Sequence, residues 1–219
     1  MEARVSRPAT RRRPSGARDP ARTRAAILAA ATGEFTTKGL KGARVDAIAR
    51  RSGANKRMIY HYFGNKEGLY LAVLEAAYAD IRTAEIGLNV VERHPVDGMR
   101  ELLDFTWRYF IEHPEFLSLL ATENLNRASY LKKSRRIRDL HSPLVGMIST
   151  LLDRGAELGV FRRGVDPVQL YISIAALGFF YFSNRYTLST IFGRDFSARD
   201  ELAQRSRHIL DVVLGYLEP

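Results

Sequence analysis

The stretch whose reading decides the fold is Val45-Asp-Ala-Ile-Ala-Arg-Arg-Ser-Gly-Ala-Asn-Lys-Arg-Met-Ile-Tyr-His-Tyr-Phe-Gly-Asn-Lys66. Val45, Ile48 and Ala49 stand at i, i+3 and i+4, the spacing of one apolar helix face, and Gly53 supplies the stop that follows Ser52. Gly53 also suits the positive φ of a tight turn. Asn55 is placed to cap a second short helix, in which Ile59 and Phe63 face inward while Lys56, Arg57, Tyr60, His61 and Tyr62 face out. A helix whose outer face is cationic and aromatic fits the major groove of DNA, where such side chains reach phosphates and base edges. A surface helix with incidental charge is the bland alternative for this stretch taken alone.

Charge around the stretch favours the first reading. The 219 residues carry a formal net charge of +10, with +6 in residues 1–24, +3 in residues 25–81 and only +1 in the remaining 138. The excess surrounds the two short helices, where a polyanion would bind. Hydrophobic residues make up 46% of the chain and aromatics 10%, enough for a full globular core. There is no cysteine, which removes disulfides, thiol nucleophiles and cysteine metal sites. The histidines at 61, 94, 113, 141 and 208 are scattered, and no zinc-protease, nucleophile-elbow, Walker A or dinucleotide-binding pattern occurs. The sequence thus predicts no enzyme activity, no metal and no cofactor. The Arg-rich start lacks an apolar signal core, and Pro8, Pro14 and Pro20 oppose the amphipathic helix of a transit peptide, so a soluble cytoplasmic protein is expected.

Residues 1–18 read as a flexible basic arm, either lying along DNA or acting as a tail of general electrostatic effect. Asp19-Pro20 opens a helix with an apolar stripe at Ile27, Leu28, Ala31 and Phe35, ended by Gly39. Leu40 to Ala43 connect it to Arg44 at the entrance of the next helix. Beyond Gly64-Asn65, Lys66 opens a fourth helix, expected over residues 67–81, with Leu69, Tyr70, Val73, Leu74, Ala77, Tyr78 and Ile81 at helical spacing. A cation at a helix start opposes the macrodipole unless a negative charge is near, and a phosphate would supply it.

Taken in order, Phe35-Thr-Thr-Lys-Gly39, Val45-Asp-Ala-Ile-Ala49, Ser52-Gly53, Ile59-Tyr-His-Tyr-Phe63 and Lys66-Glu67 make residues 21–81 resemble the DNA-binding domain of the TetR/AcrR family of bacterial transcriptional regulators. The resemblance implies an all-α protein: an N-terminal three-helix helix-turn-helix domain over residues 19–66 and a larger helical ligand-binding and dimerisation domain over 67–219. It implies that Tyr60, Tyr62 and Lys66 contact phosphates. Arg44, Asn55, Lys56, Arg57, Met58 and His61 complete the candidate DNA-binding set. Arg57 and Met58 stand where a small residue followed by Thr or Ser is more usual. Arg57 is a candidate for reading guanine bidentately, and a phosphate contact is the alternative.

Further along, Met99, Leu102, Leu103, Thr106, Trp107 and Phe110 form an amphipathic helix bounded by His94-Pro95 and His113-Pro114, and Phe116 to Leu120 belong to another. The cations between Tyr130 and Asp139 read as a solvated loop and helix start. Leu140 to Leu152 carry a long apolar stripe closed by Gly155 or Gly159. Asp166-Pro167 reads as a helix start, and the stretch from there to Asn184, without a charge, reads as a helix buried on all sides rather than a membrane span. A last helix is expected from about Ser197, with Leu202, Ile209, Val213, Leu214 and Leu217 on one face. By resemblance, residues 167–183 and 197–217 would pair two chains into a homodimer. Trp107, Phe110, Glu123, Asn124, Tyr130 and Phe179 are the candidate contacts for a small-molecule effector, since a pocket needs apolar walls and a few polar groups. The function implied is a ligand-released repressor of a near-palindromic operator; a non-specific architectural DNA binder and, further off, an enzyme are the rival readings.

Overall fold

The computed structural model describes residues 19–219, which form helices and no strand, in the order α1 (Pro20–Gly42), α2 (Val45–Ser52), α3 (Lys56–Phe63), α4 (Lys66–Gly87), α5 (Pro95–Glu112), α6 (Pro114–Leu125), α7 (Arg135–Glu157), α8 (Pro167–Phe192) and α9 (Arg199–Leu217). One-turn 3-10 helices at Val90–Glu92 and Leu131–Lys133 precede α5 and α7. The basic arm, residues 1–18, lies outside the described residues.

Local chemistry explains most helix starts. Asp19 accepts the Ala21 N–H at 3.0 Å ahead of Pro20, and Asn55 accepts the Met58 N–H at 2.9 Å. Asn65 accepts the Gly68 N–H at 2.7 Å, and Asp166 takes those of Val168 and Gln169 at 2.8 and 2.9 Å. Each satisfies a donor that the first turn leaves orphaned. Gly39, at φ +62, breaks the regular run of α1, and one further turn carries the chain to Gly42. Gly53 adopts φ +67 between α2 and α3, the left-handed turn expected of it.

Two elements differ from the sequence expectation. α4 does not stop at Ile81 but continues to Gly87, because Arg82 and Glu85 extend its buried face. α8 continues past Asn184 to Phe192 and is not buried on all sides: Ile172, Phe180, Tyr186, Ile191 and Phe192 are each more than half exposed in the single chain. No helix among the described residues is long and apolar enough to cross a membrane. At the end of α7, Gly159 takes the left-handed conformation, whereas Gly155 lies inside the helix where a Cβ would strike the Phe161 ring.

Buried apolar residues gather into two clusters. The first joins Ile27, Ala31 and Phe35 of α1, Ile48 of α2, Ile59 of α3 and Leu69 to Ile81 of α4 with Tyr109, Phe110 and Phe116 to Leu119 of α5 and α6. The second unites α5, α7, α8 and α9 around Met99, Leu103, Trp107, Ile148, Ile174, Ile209 and Val213. α4 is therefore embedded at both ends of one core, against the short helices and against α5, α6 and α7. Ser134 strengthens that tie by donating its hydroxyl to Glu75 at 2.6 Å while accepting the Ile137 N–H at the start of α7.

Candidate nucleic-acid interface and ligand cavity

α2 rests on α1, and α3 on α2 and α4, with Ile48 and Ile59 both fully buried in the shared core, so their outer faces are fixed by the core beneath. Arg57, Tyr60 and His61 are exposed on α3. Lys56 is also exposed, but its ammonium is held 2.6 Å from Asp46 of α2, and that hydrogen bond raises its pKa above the ordinary lysine range. Met58 does not project freely towards a groove; like Tyr62, it is half-buried and packs on the first cluster. Tyr62 also meets His61 edge-on at 5.5 Å. Arg24 of α1 lies 5.3 Å over the Phe63 ring and closes the side of this unit.

Lys66 resolves its conflict with the helix dipole within the chain. Its Nζ donates to the Lys41 carbonyl at 3.2 Å, in the last turn of α1, where unpaired carbonyls concentrate negative charge. A phosphate is not required to place this side chain, although its ammonium keeps further donors.

Sequence reasoning missed Glu34. This carboxylate is buried on α1, accepts Lys38 Nζ at 2.7 Å and the Arg44 N–H at 3.2 Å, and lies 4.0 Å from Arg51. The Lys38 hydrogen bond, with the Arg44 N–H and both cations, holds its carboxyl below the usual range against the opposing effect of burial. Glu34 thus fixes Arg44, the residue before α2, through its backbone. Its interior position between apolar turns and its i,i+4 spacing to Lys38 were visible in the sequence; Arg44 and Arg51, ten or more residues away, were not.

A cavity of about 190 Å³ lies between α4, α5, α6 and α8. Of the sequence candidates, Phe110, Asn124 and Phe179 line it. Trp107 stands outside, packed on Tyr181 at 5.5 Å and Phe182 at 4.7 Å in the second cluster. Glu123 is buried, but its Oε2 is taken by the N–H groups of Tyr130 and Leu131 at 3.3 and 2.9 Å, which shapes the turn after α6. Tyr130 meets Tyr70 edge-on at 5.2 Å instead of reaching the cavity.

The polar end of the cavity comes from residues the sequence reading passed over, Arg82 and Glu85 of α4. Both are 3% exposed, with Arg82 Nη1 2.9 Å from Glu85 Oε2. Burial raises the Glu85 carboxyl to about 7, outweighing the opposing pull of Arg82. The Arg82 guanidinium also lies 5.7 Å from the centre of the Tyr171 ring, which together with Tyr78 lines the cavity. Burial pushes the Tyr78 hydroxyl up to about 12. Nearby, Tyr109 donates to Asp80 at 2.8 Å, and burial and that bond raise its pKa further. Arg82 and Glu85 continue the helical spacing of Tyr78 and Ile81, and that continuation was the signal available.

A wider hollow of about 360 Å³ opens between α8 and α9, bordered by Phe180, Phe192, Arg194 and Arg205. It belongs to the exposed apolar face of α8. No group of three or more His, Cys, Asp or Glu side chains suited to a metal occurs among the described residues.

Residues 27–73 match the family model described as bacterial regulatory proteins, tetR family, and residues 95–213 match that of the tetracyclin repressor-like C-terminal domain. The chain is 39% identical over 193 residues to the HTH-type transcriptional repressor NicS of Pseudomonas putida, covering 88% of this chain and 91% of that one. It is 31% identical over 201 residues to the HTH-type transcriptional repressor SCO4008 of Streptomyces coelicolor, covering 89% and 98%. Among solved structures, a transcriptional regulator SCO4942 from Streptomyces coelicolor superposes with a TM-score of 0.67 at 23% identity over 89% of this chain and 98% of that one. FadR of Bacillus subtilis, solved with stearoyl-CoA, superposes with a TM-score of 0.66 at 16% identity over 89% and 99%. At these identities the two structures speak to the fold alone.

Proposed function

Since the chain belongs to the tetR family of bacterial regulatory proteins, as a transcriptional regulator and not an enzyme, we propose that it represses transcription from a near-palindromic operator as a homodimer and is released by a small molecule bound in the α4–α5–α6–α8 cavity. The observation that carries this reading is that one helix, α4, runs from the end of α1 to the cavity. Its first residue, Lys66, is tied to the end of α1, and its last turns present Arg82 and Glu85 to the cavity.

Residues 19–66 form the DNA-binding unit and residues 67–219 the effector-binding and dimerisation unit, the basic arm adding charge. Arg57, Tyr60 and His61 have the exposure needed to meet bases and phosphates, and Lys56 joins them where Asp46 is exchanged for phosphate. Arg44, Asn55 and Lys66 serve more as positioning groups for α2, α3 and α4. The apolar face of α8, together with α9, pairs two chains; Ile172, Phe180, Ile191 and Phe192 on an unpaired helix form the sort of surface that a partner covers. A dimer also meets a geometric need, because two recognition helices must enter successive major grooves about 34 Å apart. Such a protein works in the cytoplasm, where the chromosome is.

The effector releases DNA by binding more tightly to the form in which those helices are wrongly spaced. Moving the equilibrium from 1:99 to 99:1 takes a differential affinity of about 5.5 kcal/mol. Footprinting of the dimer on DNA flanking its own gene tests the geometry: two protected half-sites with centres one helical turn or a multiple apart support it. Continuous, sequence-independent protection would favour the architectural reading.

A further inference from the structure

Resting on the ligand-responsive reading above, we propose that the effector class is a small planar aromatic monocarboxylate, with its ring between the aromatic walls of the cavity and its carboxylate on the Arg82 guanidinium. Three features of the cavity lead to this class. The volume of about 190 Å³ is below the roughly 300 Å³ at which pockets for drug-sized ligands begin, so the space suits one ring and small substituents. Phe110, Phe116, Phe179, Tyr78 and Tyr171 supply ring faces and edges, while Ala175 keeps the α8 wall low.

The third feature is the state of the buried charges. Nε and Nη1 of Arg82 and Oε2 of Glu85 have no directed hydrogen bond, although the side chains are in ion contact. A guanidinium is planar and best satisfied by two parallel bonds to one carboxylate. Glu85, one turn away on the same helix, touches a single nitrogen, so donor capacity remains at the cavity end. Leaving a buried charged donor unmade is costly, and a ligand carboxylate arriving in the plane of the guanidinium removes that cost. Glu85 does not oppose the second carboxylate, because burial already disposes it to hold a proton near neutrality. A protonated Glu85 beside a ligand carboxylate becomes a hydrogen-bond donor to it. The filled site then contains one cation, one anion and one neutral acid. A ligand amine, by contrast, would bring a second cation against Arg82, and a neutral amide would leave the guanidinium charge unmatched.

Benzoate, benzamide and benzylamine are probes of one shape and three charges. Calorimetric titration and thermal shift of the full-length protein should show benzoate binding at least tenfold more tightly than the other two, a gap of about 1.4 kcal/mol. Arg82→Gln should weaken benzoate by tenfold or more, and Arg82→Lys should fall between because it keeps the charge and loses the fork. Ala175→Phe fills the cavity from the α8 wall while keeping Arg82 and Glu85, and should abolish benzoate binding as well; the thermal unfolding of each variant without ligand shows that it is folded. Absence of binding by benzoate, salicylate and phenylacetate at millimolar concentration would overturn the proposal. So would benzoate affinity that survives Arg82→Gln, or tighter binding of benzylamine. Operator binding is measured separately. Specific DNA binding without carboxylate binding overturns the effector class alone; carboxylate binding without any change in DNA affinity overturns ligand release and leaves the site standing.

Discussion

Glu85 gives the fold a stability that falls as pH rises, opposite in sign to that of most carboxylates. Its ordinary pKa is 4.5, and in the folded chain it is raised to about 7, chiefly by burial. Between those values the folded state holds a proton that the unfolded state has released, so the stabilisation is fully present below about 4.5 and is lost as pH climbs through about 7. At about 1.4 kcal/mol per pH unit the whole loss is about 3 kcal/mol, large beside the 5–15 kcal/mol typical of a domain. Of the groups around Glu85, burial holds the Tyr78 and Tyr109 hydroxyls high, and a guanidinium stays charged. Glu34, held low by Lys38, has the opposite sign, and its contribution disappears only as pH falls below its ordinary 4.5. The assay is urea unfolding of wild type and Glu85→Gln at pH 5, 6, 7 and 8, at one protein concentration so that dimerisation does not shift the midpoints. Glutamine keeps the shape and cannot ionise, so the difference between the two proteins should change by about 2–3 kcal/mol from pH 5 to 8, the first part of the loss lying below pH 5, and should move in favour of the variant as pH rises. A difference independent of pH would refute the reasoning and place Glu85 in a solvated environment.

Other perturbations address the remaining elements. Gly178→Ala places a Cβ 2.8 and 3.0 Å from two Phe110 ring carbons, so overpacking should cost about 1–3 kcal/mol in thermal unfolding and narrow the cavity that Phe110 lines. Arg57→Ala should weaken cognate operator by about 1–3 kcal/mol more than scrambled duplex if it reads a base; equal weakening identifies a phosphate contact. Ile172→Glu with Phe192→Glu, both exposed on α8, should shift sedimentation from dimer to monomer and weaken operator binding together; an unchanged dimer would move the interface elsewhere.

What the sequence made legible was local chemistry. Asp19, Asn55 and Asp166 cap helices because a short acceptor can reach N–H groups two or three residues on, and Gly53 turns because only its own φ is at issue. The helix-turn-helix could be read for that reason. The cavity could not, because its character depends on residues that pack from four helices. Arg82 and Glu85 keep the spacing of the apolar stripe but carry charge, and they become interior only when α5, α6 and α8 close over them. Glu123 has the right neighbours for a ligand contact, yet its oxygen is claimed by the turn at Tyr130 and Leu131. Met58 and Tyr62 show the same limit on the DNA side, where the apolar parts of both side chains settle on the core. α8 lacks charge through most of its length, and sequence alone cannot tell burial within a chain from a face left for another copy.

The central claim is sequence-specific DNA binding that a small molecule reverses, and fluorescence anisotropy at a single salt concentration tests it most directly. The purified protein is titrated with a duplex from upstream of its own gene and with a scrambled duplex of the same composition, each with and without benzoate. The account predicts specific binding tighter by roughly a thousandfold or more, and a loss of that preference when the cavity is filled. A ratio near unity, or a specific complex indifferent to every cavity ligand, would contradict it.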